Sequence, residues 1–339
     1  MTTRPLYVHA VGMACPLGLT APAACAAMRA GIERKQELPY RTDAGYPITG
    51  SLLSSLGAAD LAGRERWLLL LALAVKDLYR CQSGFGLTDQ PLILALPSEA
   101  AHLRDWVLKR LAAELAAELD PRVVHIVTEG AYGGYRALAT ARALLLQGSA
   151  ERVVVCGADS LISARRLLEL ERARRLLTKD NSDGVIPGEA AVAVLLALHA
   201  QGAQGIIRGI GFGMEPGLLS NDVPLRGQGI VTAAREALGE AALDMHDMDV
   251  RASDAAGESY AFKEQSLVVT RLLRRNKDRF PLWLPALTLG DTGAAAGLCG
   301  LSLILHAYKR GYFPGRLAIA YSAADEGQRA AIVVDSLRG

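Results

Sequence analysis

Few residues of this chain have the types and spacing that chemistry needs. Its five cysteines, Cys15, Cys25, Cys81, Cys156 and Cys299, are odd in number and far apart, with no CxxC pair and no histidine at ligand spacing. Neither a zinc site nor a disulfide framework is encoded, so no metal is expected and the thiols read as reduced, in a cytoplasmic protein. Gly257-Glu-Ser-Tyr-Ala261 approaches the G-x-S-x-G elbow of hydrolases, but the fifth residue is alanine and no strand leads into it. It reads as a polar loop. Gly209-Ile-Gly-Phe-Gly213 approaches a dinucleotide loop, yet Glu215-Pro216-Gly217 stands where the phosphate-holding helix would begin. A packed glycine strand is the better reading, and no cofactor is expected. Gly130, Gly133 and Gly134 precede an Ala/Leu helix and form a candidate anion-binding turn, with plain helix packing as the alternative. The six histidines, His9, His102, His125, His199, His246 and His306, read as structural or solvated.

The elements that must position such residues follow from composition and periodicity. The chain has 339 residues, of which 51% are apolar, 21% charged and 5% aromatic, enough to bury a core and incompatible with disorder. Thirty-seven basic and thirty-five acidic residues leave a net charge of +2, which gives no global field for nucleic acid or anionic lipid. A partner must be recognised locally. The longest apolar run, Trp67 to Val75, is too short to span a bilayer. Leu6 to Val11 reads as the first strand and not as a secretory signal, because His9, Gly12, Pro16 and Gly18 interrupt the apolar stretch.

Short β-branched runs (residues 7–11, 91–96, 122–127, 152–156 and 191–198) alternate with Ala/Leu/Arg-rich stretches of helical period. A second such series follows Gly202: residues 205–210, 248–252, 283–289, 316–321 and 329–334. Val123–Val127, the turn through Gly134 and a helix ending at Gly148 are matched, at an offset of about 160 residues, by Leu282–Leu289, Gly290-Asp-Thr-Gly293 and a helix ending at Gly311. Two pseudo-symmetric halves, residues 1–200 and 201–339, are expected. Their small-residue helices should pack together inside a five-layer α-β-α-β-α body.

Four segments in order carry a family resemblance. Val11-Gly-Met-Ala-Cys-Pro-Leu-Gly18 resembles the opening strand and turn of the β-ketoacyl synthases, members of the thiolase superfamily. Gly148 to Asp159 resembles their "G-x-AD-x-x-x-xGGAE" segment, Asn181 to Ala190 their "DGF-x-x-GEGAG" segment, and Gly290 to Gly297 their "GH-x-x-GAAG" segment. The resemblance implies a thiolase fold, structural roles for Gly184 and Gly188, and a buried Glu189 satisfied by backbone amides. It also implies a decarboxylative condensation in which a cysteine thiolate at a helix N-terminus takes an acyl group from a carrier thioester, assisted by two histidines and a lysine.

Carried over position by position, none of those groups is present. The nucleophile falls on Ala131, the first histidine on Ser253 or Asp254, the second on Asp291 and the lysine on Ala286. The "GFGG-x-N" turn that gates the family's tunnel reads Ala323-Ala-Asp-Glu-Gly-Gln328. The nucleophile turn is most similar to that of the non-condensing chain-length-factor subunits of aromatic polyketide synthases, which carry glutamine where this chain has alanine. The expectation is a catalytically inactive accessory or adaptor subunit, a homodimer or a heterodimer with a synthase-like protein, paired through Val123–Val127. Degenerate proteins of this kind also stand beside type VI secretion effector genes, which extends the expectation to an adaptor there. Arg271, Arg274, Arg275 and Lys277 form a basic patch suited to an acidic carrier protein, if it is not simply a solvated face. The competing expectation is an acyl-thioester binder or an enzyme with relocated chemistry on Asp291, Ser253 or Asp254.

Overall fold

The computed structural model describes residues 4–54, 63–80 and 90–337, so Cys81 lies outside the described residues. The first half contains β1 (Leu6–Ala14), α1 (Ala21–Arg29), a hairpin of β2 (Lys35–Arg41) and β3 (Pro47–Ser51), α2 (Arg64–Arg80), β4 (Leu92–Ala95), α3 (Arg104–Leu115), β5 (Val124–Val127), α4 (Gly133–Leu146), β6 (Arg152–Ser160), α5 (Ala164–Arg172) and β7 (Glu189–Ala197). The second contains β8 (Gly205–Met214), α6 (Gln228–Ala241), β9 (Val250–Ser253), α7 (Ser259–Leu272), β10 (Leu282–Trp283), α8 (Ala286–Leu289), α9 (Ala296–Arg310), β11 (Leu317–Ala323) and β12 (Gln328–Asp335).

The main sheet runs β10-β9-β11-β12-β8-β1-β7-β6-β4-β5. Its two ends repeat one order: β5-β4-β6-β7-β1 in the first half becomes β10-β9-β11-β12-β8 in the second. They join where Leu6, Tyr7 and Val8 pair antiparallel with Ile207, Ile206 and Gly205. Apolar side chains sort into the layers this arrangement requires. One core packs α2 and α3 against the outer face of the first half, and another packs α6 and α7 against the second. The largest fills the space between them around α1, α4 and α9. The α/β thiolase architecture expected from the sequence is present.

Helix α9 is buried on almost every side, from Ala296 through Tyr308, because it is the middle of this sandwich. The glycines of β8 let the outer layer approach. A Cβ on Gly209, Gly211 or Gly213 would fall 2.0–2.1 Å from the carbonyl oxygens of Ala237, Ala233 and Gly229 on α6. The Gly209–Gly213 spacing therefore serves helix-on-strand packing, as its reading as a packed strand required.

Two elements differ from expectation. The expected strand through Leu289 stops at Trp283, because Pro285 lacks an amide proton and starts the short helix α8. The β2–β3 hairpin carries no clean alternation and packs on a satellite cluster of Ile162, Leu167 and Leu176. Gly211→Ala tests the close approach of β8 and α6. It should cost on the order of 2 kcal/mol, read as a lower urea midpoint at unchanged slope.

Candidate functional site

The two middle-layer helices begin at one place. A 3-10 turn, Gly130–Tyr132, feeds α4, and a matching turn, Gly293–Ala295, feeds α9. Gly130 and Gly293 both have positive φ, 57° and 47°, which glycine adopts without strain. Between these turns and the ends of β6, β9 and β11 lies a cavity of about 410 Å³. Ala131, Asp254 and Asp291 all line it, so three of the five positions carried over from the resemblance converge. Ser253 is buried beside it, its Oγ accepting from the Ala255 amide, and Ala286 starts α8 outside the lining. Among the described residues the lining contains no cysteine, histidine or lysine.

Carboxyl groups occupy the cavity instead. Asp254 Oδ2 accepts from the Ala323 amide at 2.7 Å and lies 3.0 Å from Ser322 Oγ. That hydroxyl is also 2.6 Å from the carbonyl oxygen of Ala131. A hydroxyl has one proton, and a carbonyl can only accept. Its single proton can go to only one of these acceptors at a time, so Ser322 is shared between the Ala131 carbonyl and the Asp254 carboxylate. Burial lifts Asp254 to about 6, with the nearby Asp291 adding to the effect and the Ala323 and Ser322 hydrogen bonds opposing it.

Asp159, at the end of β6, accepts from the Ala294 and Ser160 amides and is likewise pushed by burial to about 6. A Cβ on Gly293 would sit 2.1 Å from Asp159 Oδ2, so glycine is required there for this contact. Asp291, whose Oδ1 accepts from the Gly293 amide, is raised by burial and by Asp325 and Glu258, while Arg175 opposes the shift. The sequence motifs include Asp159 but give it no site role. A polar residue ending an otherwise apolar strand was the available signal.

The lining carries eight carboxylic side chains and three arginines among the described residues. Arg329 is buried and committed: it bonds both oxygens of Glu264 at 2.9 Å, the Tyr260 hydroxyl and the Ala324 carbonyl. Arg175 lies beyond α5 and turns into the lining, paired with Glu258 and Asp325. The excess of carboxyl groups opposes the anion expected at Gly130, Gly133 and Gly134. Of these, Gly133 and Gly134 face Ala95 and Leu298 in ordinary helix packing.

Glu189 is fully buried, but backbone amides are the minor part of its satisfaction. Arg66 grips both its oxygens, Ser160 Oγ donates at 2.8 Å, and one amide, that of Leu53, donates at 2.6 Å. Gly184 and Gly188 are places where backbones touch: a Cβ would lie 2.5 Å from the Leu176 carbonyl carbon and 2.0 Å from the Leu289 carbonyl oxygen. In the basic patch Arg274 and Arg275 are exposed and Arg271 is half-buried. Lys277 departs from the expectation, since its ammonium donates to the His246 and Met248 carbonyls. Ser259, central to the elbow-like stretch, opens α7 and bonds Asp183 through its amide and hydroxyl. No group of three or more His, Cys, Asp or Glu side chains among the described residues is placed to hold a metal ion. No helix among them is long and apolar enough to cross a membrane.

This architecture is a ketosynthase-like α/β fold, with ketosynthase–chain length factor complexes among its structural neighbours. Residues 112–201, which include the turn at Gly130–Gly134, match the family model described as β-ketoacyl synthase, N-terminal domain. A curated relative, a putative mitochondrial 3-oxoacyl-[acyl-carrier-protein] synthase of Schizosaccharomyces pombe, is 24% identical over 219 residues. The match takes in 58% of this chain and about half, 51%, of the relative's length. Among solved structures, the ketosynthase in complex with its chain length factor from Xenorhabdus doucetiae superposes with a TM-score of 0.76 at 16% identity, covering 98% of each chain. The ishigamide ketosynthase/chain length factor gives 0.75 at 18% identity, over 98% of this chain and 99% of that one. A ketosynthase from module 6 of the Bacillus subtilis 168 bacillaene synthase gives 0.78 at 13% identity, over 99% and 72%. At such identities the likeness is one of fold.

The cavity acids make stability depend on pH with a defined sign. Asp159, Asp254 and Glu264 bind their protons more tightly folded than unfolded. Their contribution therefore weakens folding as pH rises from the ordinary carboxylate range to about 6. Asp254→Asn removes one such group. Its stability relative to wild type should improve across that window by on the order of 1 kcal/mol, measured by urea unfolding at a series of pH values.

Proposed function

We propose that this chain is a non-condensing, ketosynthase-like subunit that works by pairing with another protein. The observation that carries the reading is the make-up of the cavity: alanine at position 131, aspartates at 254 and 291, and no thiol, imidazole or ammonium among the described lining residues. A condensing centre needs a thiolate to hold the acyl group and donors to stabilise an enolate, and such groups act as a unit. Buried carboxyl groups supply neither. The four described cysteines cannot substitute, since all are buried and burial raises every one of their thiols.

The ketosynthase–chain length factor complexes among the structural neighbours support a synthase-like partner or a second copy. The joining element we assign is β5, the half-exposed edge strand that ends the sheet beside the cavity. In this reading the two halves, residues 1–200 and 201–339, act as one cytoplasmic scaffold. Arg271, Arg274 and Arg275 present a basic surface to an acidic protein, in a lipid or polyketide pathway or as an adaptor of a type VI secretion effector cluster.

Asp254 favours a second reading, in which its raised carboxyl group near position 131 serves relocated acid–base chemistry on a bound acyl thioester. Incubation with acyl thioesters followed by mass spectrometry separates the two. The subunit reading expects no adduct and no turnover, whereas turnover lost on Asp254→Asn or Asp291→Ala would establish the second. The pairing itself is tested by light scattering at micromolar concentration, alone and with a co-expressed synthase. Ile126→Asp in β5 should convert a dimer to monomer, and a wild-type chain that stays monomeric under both conditions sinks the subunit reading.

A further inference from the structure

We propose that Arg175 is a clasp that ties together three segments bordering the cavity and restricts access to it. Its guanidinium donates from Nε and Nη2 to the two carboxylate oxygens of Glu258, at 2.8 Å each, and from Nη1 to Asp325 Oδ2 at 2.7 Å. These side chains come from three separate stretches: the segment after α5, the residue that caps α7, and the turn between β11 and β12. All three line the cavity. The clasp runs from inside to outside, since the Glu258 side chain is 11% exposed and that of Asp325 68%.

The segment bearing Arg175 is shaped in advance for this contact. Asn181 braces it from within, its Nδ2 donating to the Arg174 and Leu176 carbonyls. Asp183 fastens it to α7 by accepting from the Ser259 amide at 2.6 Å and the Ser259 hydroxyl at 2.8 Å. Backbone meets backbone beside them, where a Cβ on Gly257 would fall 2.4 Å from the Gly184 carbonyl oxygen. Electrostatics makes Arg175 the member that matters. Glu258, Asp325 and Asp291 surround it with like charges, and they repel one another once the cation between them is withdrawn. The bidentate guanidinium geometry explains why arginine stands here, since lysine would hold one carboxylate as a point charge.

The inference goes beyond the subunit reading and does not depend on it, because access to the cavity can be measured whether or not the chain pairs. The probe is Ala131→Cys in a chain also carrying Cys81→Ser; the remaining cysteines are buried with raised thiols and label slowly. Labelling of the thiol introduced at position 131 by a bulky maleimide is followed by mass spectrometry, where its rate tracks access to the cavity. Arg175→Ala should raise that rate about tenfold, as expected for loss of a partly buried charge-assisted pair. Asp325→Asn, which releases only the outer limb, should raise it less, and Arg175→Lys should fall between. Circular dichroism and thermal melting establish that each variant is folded. Should Arg175→Ala not fold, Asp325→Asn and Glu258→Gln carry the test. Rates within about twofold of the parent in the folded variants overturn the proposal.

Discussion

The structure depends on how closely α4 and α9 approach each other between the two half-sheets. Each presents a glycine where the other presents a large side chain: Gly134 lies against Leu298, and Gly297 against the ring of Tyr135. Tyr135 is wholly buried and donates its hydroxyl to the Gly297 carbonyl at 3.2 Å, so the contact is a hydrogen bond as well as a fit. Side-chain bulk at either glycine would push the helices apart. Because both N-terminal turns open onto the cavity, the spacing of the helices is also the spacing of Ala131 from Asp159 and Asp291. A contact 162 residues apart in sequence thus fixes the site.

Within that frame the cavity is closer to neutral than its composition suggests. All three of its arginines pair with carboxylates, and burial raises Asp159, Asp254 and Asp291 above the ordinary carboxylate range. Asp254 is the clearest case, raised by burial even though the Ala323 amide and the Ser322 hydroxyl both donate to its carboxylate. A nucleophile turn normally serves to favour a negative charge at the helix start. Here the turn before α4 has a methyl group at residue 131 and faces carboxyl groups that burial holds above their ordinary range.

Fold and site were legible in the sequence to different degrees. Most strands of the main sheet could be read because they are short apolar runs bounded by turn residues, the run through Leu289 excepted, and the repeat could be read because Gly130–Gly134 and Gly290–Gly293 punctuate equivalent turns. The β2–β3 hairpin was not legible, since its partly exposed strands lack the alternation that burial on one face imposes. The convergence of residues 131, 254 and 291 followed from motif order. Long-range charge pairing did not: nothing local to Arg175, Arg329 or Arg66 tells that their partners lie 83, 65 and 123 residues away. Arg175 in particular shares its neighbourhood with four other arginines, and only the end of α5 at Arg172 separates it from them.

The ends of the sheet are unequal. β5 offers three residues with half-exposed side chains, while β10 offers only two, hemmed in by Pro281, Pro285 and the rings of Tyr312 and Phe313 against Trp283. A molecule built from two similar halves could in principle polymerise head to tail, each copy adding its strand to the next. This one has a blunt terminus instead, which disfavours head-to-tail addition of one edge to the other.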